Sequence, residues 1–124
     1  MNMDDEGKRL WIFPDGELPP PGSYDIKGHE SLILLNTSSS SAHVNIVLYF
    51  VDDPPVKGIA LEVAPERVRC IRMDNPEDLS GFVLEKEKQY AMRIESDVPI
   101  VAQYGRLDTR EQPMAFYTTS GYCQ

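Results

Sequence analysis

Hydrophobic and polar positions along this chain alternate in short runs, with the two-residue period of strands rather than the spacing of helices. The clearest run sets Tyr90, Met92 and Ile94 against Ala91, Arg93 and Glu95, and predicts a strand with one buried face. Glu95-Ser-Asp97 carries turn chemistry, since Ser and Asp side chains hydrogen-bond the backbone just ahead of them. A tight turn is predicted there, with Pro99, which lacks a donor, opening the next strand. Val98 to Tyr104 is apolar on both faces apart from Gln103, the pattern of a strand covered on both sides. Gly105 predicts a bulge, which would bring Gln103 and Arg106 onto one face. Beyond it, Arg106, Asp108 and Arg110 alternate along one edge.

The same reading gives the other elements. Lys8 to Phe13 is a short strand stopped by the turn signal Pro14-Asp-Gly16, and a long segment containing Pro19-Pro-Pro-Gly22 follows. Ser31 to Asn36 is a central strand, and Thr37 to Ser41 a polar loop. Ala42 to Val51 sets Val44, Ile46, Leu48 and Phe50 on one face, and Asp52-Asp-Pro-Pro55 ends it. Ile59, Leu61 and Val63 mark a half-buried strand, and Arg67 to Met73 is the next. One helical turn is expected at Pro76 to Leu79, a weak strand at Phe82 to Leu84, and a last strand at Met114 to Thr119. Many short strands with Pro, Gly, Asp and Asn turns predict an all-β fold, an antiparallel β-sandwich. Its single domain would run over residues 8–120, between a loose tail at 1–7 and a short one at 121–124. The expected core holds Val44, Ile46, Leu48, Phe50, Leu61, Tyr90 and Ile94.

A length of 124 residues suits one domain with a two-layer core. No run approaches the roughly 20 apolar residues of a membrane span, and the acidic start Met-Asn-Met-Asp-Asp-Glu is unlike a secretory leader. Two cysteines, Cys70 and Cys123, make a poor disulfide framework, so a reduced, cytoplasmic setting is expected. The net charge of -8 argues against general affinity for nucleic acid or anionic membranes. Arg67, Arg69 and Arg72 are the one local basic cluster, and a DNA-binding regulator is the alternative they would serve. Strands that are apolar on both faces, Leu32 to Leu35 and Val98 to Val101 above all, predict a homo-oligomer, because a sandwich supplies one dry layer.

The chemistry-bearing residues do not assemble into a known catalytic set. His29-Glu30 and His43 lack the converging third and fourth ligands of a zinc site. The serines at 38–41 lack a nucleophile-elbow pattern, and Asp52-Asp53 beside prolines reads as turn chemistry. No glycine-rich phosphate loop is present. The expectation is therefore no enzyme, no catalytic residue, no metal and no cofactor. Trp11, within Leu-Trp-Ile-Phe, reads as a packing anchor in preference to a sugar-stacking platform.

Several segments resemble the sensory rhodopsin transducer family. They are Trp11-Ile-Phe-Pro-Asp-Gly16, His29-Glu30 running to Leu35-Asn36, Ala42-His-Val to Tyr49-Phe50, and Val63-Ala-Pro to Arg69. Glu95-Ser-Asp-Val-Pro-Ile-Val101 with Arg106-Leu-Asp-Thr-Arg110 completes the set, so the resemblance covers roughly residues 8–120. It implies a small cytoplasmic β-sandwich that forms homotetramers. The family takes its name from a member that works with a microbial rhodopsin. Relatives occur where no rhodopsin is present, and have been viewed as small-molecule-binding domains, with sugars one candidate class.

Together these readings favour a small-molecule-binding or signal-relay protein, the alternatives being a soluble transducer that docks on a membrane photoreceptor and the DNA-binding regulator. The expected ligand site is His29, Glu30, Asn36, Gln103, Arg106 and Asp108, converging at one end of the sandwich beside the proline-rich loop. Each lies at or near the end of a strand predicted to be central, so a rigid scaffold would present it. That mix of donors and acceptors suits hydroxyl-rich or carboxylate ligands. The rival reading is a buried network in which the same groups satisfy one another.

Overall fold

The computed structural model describes residues 6–110 and 114–124. Most of the loose tail expected at 1–7 lies outside the described residues. Eight strands carry the fold: β1 (Lys8–Glu17), β2 (His29–Asn36), β3 (Ala42–Phe50), β4 (Val56–Val63), β5 (Arg67–Arg72), β6 (Gln89–Asp108), β7 (Ala115–Thr119) and β8 (Tyr122–Cys123). Among the described residues one 3-10 turn, Pro76–Leu79, interrupts them. Asn75 caps it by accepting from the Glu77 amide.

All pairings are antiparallel and form two sheets, one ordered β4-β3-β6-β1-β8 and the other β5-β2-β6-β7. One strand belongs to both. The half of β6 before Ser96 lies between β3 and β1, and the half after Ile100 lies between β2 and β7. The tight turn expected at Glu95-Ser-Asp97 is therefore corrected: β6 is a continuous strand of 20 residues. The polar groups that suggest a reversal are used in another way. Asp97 accepts from the His43 amide at 2.7 Å and from His43 Nδ1 at 2.9 Å, and Ser96 Oγ accepts from the Val98 amide. Pro99 costs no ladder bond where the strand changes partners. Side-chain phase runs through the corner unbroken, with Tyr90, Met92, Ile94, Ser96, Ile100, Ala102 and Tyr104 all buried.

Two further expectations are corrected. Gly105 pairs with Ser31 in unbroken register, so no bulge forms and Gln103 and Arg106 keep opposite faces. Pro14-Asp-Gly16 does not end β1 but is a register shift inside it, after which Gly16 and Glu17 pair with Tyr90 and Gln89. Glycine is required there, because a Cβ at Gly16 would lie 2.5 Å from the Tyr90 ring. The segment Phe82 to Leu84 is not a strand, although Leu84 is buried. Val44, Ile46, Leu48, Tyr90 and Ile94 are core residues as expected, whereas Phe50 and Leu61 are half-buried at its margin.

The second sheet keeps one face for the core, with Leu32, Leu34, Ile71, Ala102 and Tyr104 inside. Its other face is apolar and open. Leu35, Val68, Val101 and Phe116 are all exposed there. With Ile33 and Gln103 they border a cleft of about 570 Å³ and a smaller one of about 220 Å³. Trp11 lines the larger cleft, stacks on Phe13, and donates its indole N–H to the carbonyls of Lys8 and Ile100, each at 3.1 Å.

Candidate functional site

Glu30, on the inner face of the second sheet, is a carboxyl side chain with no exposed surface. Position and period explain this: it is the first inward-facing residue of β2, in phase with Leu32 and Leu34. A carboxylate in such a place needs donors, and three converge on it. Tyr90 Oη donates to Oε1 at 2.8 Å, while Tyr104 Oη and the Glu17 amide, at 3.0 Å, both donate to Oε2. The donors come from β1 and from both halves of β6, so this one carboxyl group ties the two sheets together. Burial pushes its pKa from 4.5 up to about 7, against the opposing pull of the Tyr90 hydroxyl, the Glu17 amide and the Arg106 charge. Tyr90 is pushed well above the ordinary tyrosine range, by burial first and then by the charge of Glu30.

Arg106 stands opposite Glu30 in the β2–β6 ladder. Its guanidinium lies 6.0 Å from the centroid of the Tyr117 ring, donates to Tyr117 Oη at 3.3 Å, and is 3.7 Å from Asp108. Its Nε is buried and has no hydrogen-bond partner. From Asp108 the charges continue outward. Arg110 Nε donates to both Asp108 carboxylate oxygens, and Arg110 Nη1 is 3.5 Å from Glu87. The hydrogen bonds from Arg110 hold the Asp108 carboxyl below the usual carboxylate range.

Of the expected site residues, the structure brings Glu30, Arg106 and Asp108 together on the inner face at this end. His29 directly precedes Glu30 but faces the other way, with its Nδ1 bonded to the Lys27 carbonyl at 2.8 Å. It borders the smaller outer cleft with Gln103, Ser31 and Thr118. Asn36 lies at the far end of β2, six residues or about 20 Å from Glu30. There its Nδ2 donates to the carbonyls of Ser40, Val63 and Ala64, and its Oδ1 accepts from Ser38. Asn36 organises the polar loop and the end of β4.

Tyr90, Tyr104, Glu17 and Tyr117 complete the centre and were not legible as site residues. The available signal was Glu30 itself, in phase with a buried strand face, since tyrosines on neighbouring inward positions need acceptors for their hydroxyls. The cluster holds no serine or cysteine nucleophile beside a base. Among the described residues no group of three His, Cys, Asp or Glu side chains is placed to hold a metal ion.

Fold and site define a small antiparallel β-sandwich built on one shared strand, with a hydrogen-bonded carboxyl group buried between its sheets. The chain belongs to the Anabaena sensory rhodopsin transducer family, whose model matches residues 6–123. Among solved structures it is similar to the crystal structure of Thermotoga maritima 1070, at 34% identity and a TM-score of 0.84, covering 96% of this chain and 97% of that one. It is also similar to the Anabaena sensory rhodopsin transducer, at 31% identity and a TM-score of 0.69, covering 81% and 83%. No curated protein matches the chain.

Proposed function

We propose that this protein is a non-enzymatic signal-relay module that recognises a small polar, sugar-like ligand at the Glu30–Arg106 end and works as a homotetramer. The observation that carries the ligand reading is Arg106 Nε, a buried charged donor without an acceptor. Such a group is costly to leave unmade and is offset by a ligand oxygen. Tyr117 is the side chain over the guanidinium, and its 43% exposure makes it the one to swing aside on entry. The assembly reading is supported by the open apolar face of the second sheet, which a second copy would cover. A similar structure is named as a sensory rhodopsin transducer, and this favours a second reading in which the tetramer docks on a membrane photoreceptor.

The test combines thermal shift and light scattering on the full chain. Glucose and related polyols should raise the melting temperature of the wild type, because a ligand of the native state stabilises it. Arg106→Ala should lose that shift and remain tetrameric. If no polyol shifts the wild type and Arg106→Ala dissociates or unfolds, the cluster is a structural network and the reading fails.

A further inference from the structure

The hydrogen bonds around Glu30 are arranged for one protonation state and must be rearranged in the other. As a carboxylate, Glu30 only accepts, and its three partners all donate. As a carboxylic acid it carries an O–H that needs an acceptor. The Glu17 amide cannot accept. The partners in contact that can are the hydroxyl oxygens of Tyr90 and Tyr104. Protonation therefore reverses one tyrosine hydrogen bond, and that tyrosine turns its own hydroxyl hydrogen away.

We propose that Glu30 is a proton-binding site, and that its occupancy is passed to the end of the sandwich through Tyr90, Tyr104 and the chain Arg106–Asp108–Arg110–Glu87. The proton comes from solvent and returns to it. With the site empty, the carboxylate charge draws the guanidinium across the ladder. With the site filled that pull is gone, and Arg106 is left to Asp108 and Tyr117, 3.7 and 3.3 Å away. From there Asp108, Arg110 and Glu87 carry the change to exposed surface.

The surroundings place this exchange near neutrality. The charged and titratable groups facing Glu30 are Glu17 on β1, Tyr90, Tyr104 and Arg106 on β6, and Tyr117 on β7 beyond Arg106. From the segment after β5 the contact is the uncharged Met73, whose amide donates to the Glu30 carbonyl. Burial outweighs the one cation and the donors, and holds the carboxyl midpoint at about 7. The inference needs no small-molecule ligand, so it stands or falls separately from the reading above.

Carbon-13 spectra of the glutamate side-chain carboxyls, together with the Tyr Cζ and Arg Nε resonances, test it in the full chain from about pH 5 to about pH 9. One carboxyl, absent in Glu30→Gln, should titrate near neutrality. Tyr90 or Tyr104, and Arg106 Nε, should follow with the same midpoint. If Glu30→Gln does not fold, Tyr90→Phe gives the assignment, because the Tyr90 hydrogen bond holds the Glu30 midpoint down and its loss should move that midpoint upward. A Glu30 carboxyl that keeps one state across the range overturns the proposal. So does a Glu30 titration that leaves both tyrosines and Arg106 unmoved.

Discussion

Glu30 on β2 and Arg106 on β6 are direct partners in the ladder, yet the guanidinium's ion-pair contact is with Asp108 and not with Glu30. The carboxyl group is instead satisfied by hydroxyl and amide donors. Burial of that carboxyl group, only partly offset by these donors and by the Arg106 charge, sets the pH behaviour of the fold.

Because the folded protein raises the Glu30 pKa from 4.5 to about 7, the native state holds this proton more tightly than the unfolded chain. Its contribution is complete below the unfolded value and is lost as pH rises through the folded one. Denaturant unfolding should show stability falling by about 3 kcal/mol between mildly acid and mildly alkaline pH. Asp97 and Asp108, whose pKa values are lowered, act with the opposite sign and only in more acid solution. Glu30→Gln should flatten the profile above about pH 5. An unchanged slope would assign it to another group.

Asn36→Ala should cost about 2 to 3 kcal/mol, since it strips buried partners from three carbonyls and from Ser38. The expected loss is purely in stability. Any polyol-induced rise in melting temperature should match that of the wild type.

Gly16→Ala should destabilise by about 1 to 3 kcal/mol, because the added methyl group meets the buried Tyr90 ring at 2.5 Å and one of the two must shift. Displacing Tyr90 also removes a donor from Glu30, so the pH profile should shift upward in the same variant. Destabilisation with an unmoved pH profile would mean that β1 yields instead of Tyr90.

Val101→Glu places a charge on the open apolar face of the second sheet, where the wild-type side chain is 41% exposed in the single chain. A buried unpaired charge in an interface is strongly unfavourable. If the tetramer proposed above closes across this face, light scattering should show smaller species than for the wild type, while circular dichroism keeps the β-sheet spectrum. A mass equal to that of the wild type would rule this face out as the contact.

Most strands were legible because alternation reports which face meets the core. Val44, Ile46 and Leu48 need no more than that. The reading failed where one residue type serves two purposes. Ser96, Asp97 and Pro99 are what a turn requires, and also what a corner requires when a strand leaves one sheet for another. The missed cue was phase: inward positions stay even-numbered from Tyr90 through Tyr104, which a reversal would have no reason to preserve. The neighbourhood of Glu30 and Arg106 could be suspected from strand ends, but Tyr90 and Tyr104 read as packing, because a hydroxyl's partner on another strand leaves no local trace. Asn36 shows the same limit. Its partners Val63 and Ala64 are distant in sequence, and only the register of β3 with β4 brings them to it.

The shared strand also bears on how the chain acquires its structure during synthesis. The hairpin of β3 with β4 and the pairing of β2 with β5 can form early, but among the described residues β1 pairs with β6 and β8 alone. Until residues 89–108 leave the ribosome, the two half-sheets have no common member and Glu30 has neither tyrosine. Closure is thus a late, long-range event, of the kind that makes β proteins slow to fold. A nascent chain stalled before β6 would carry its hydrophobic halves unjoined. A chain cut between the 3-10 turn and Gln89 would leave β1 to β5 in one piece and all of β6 in the other, so the ladders that join the two sheets would have to form between the pieces.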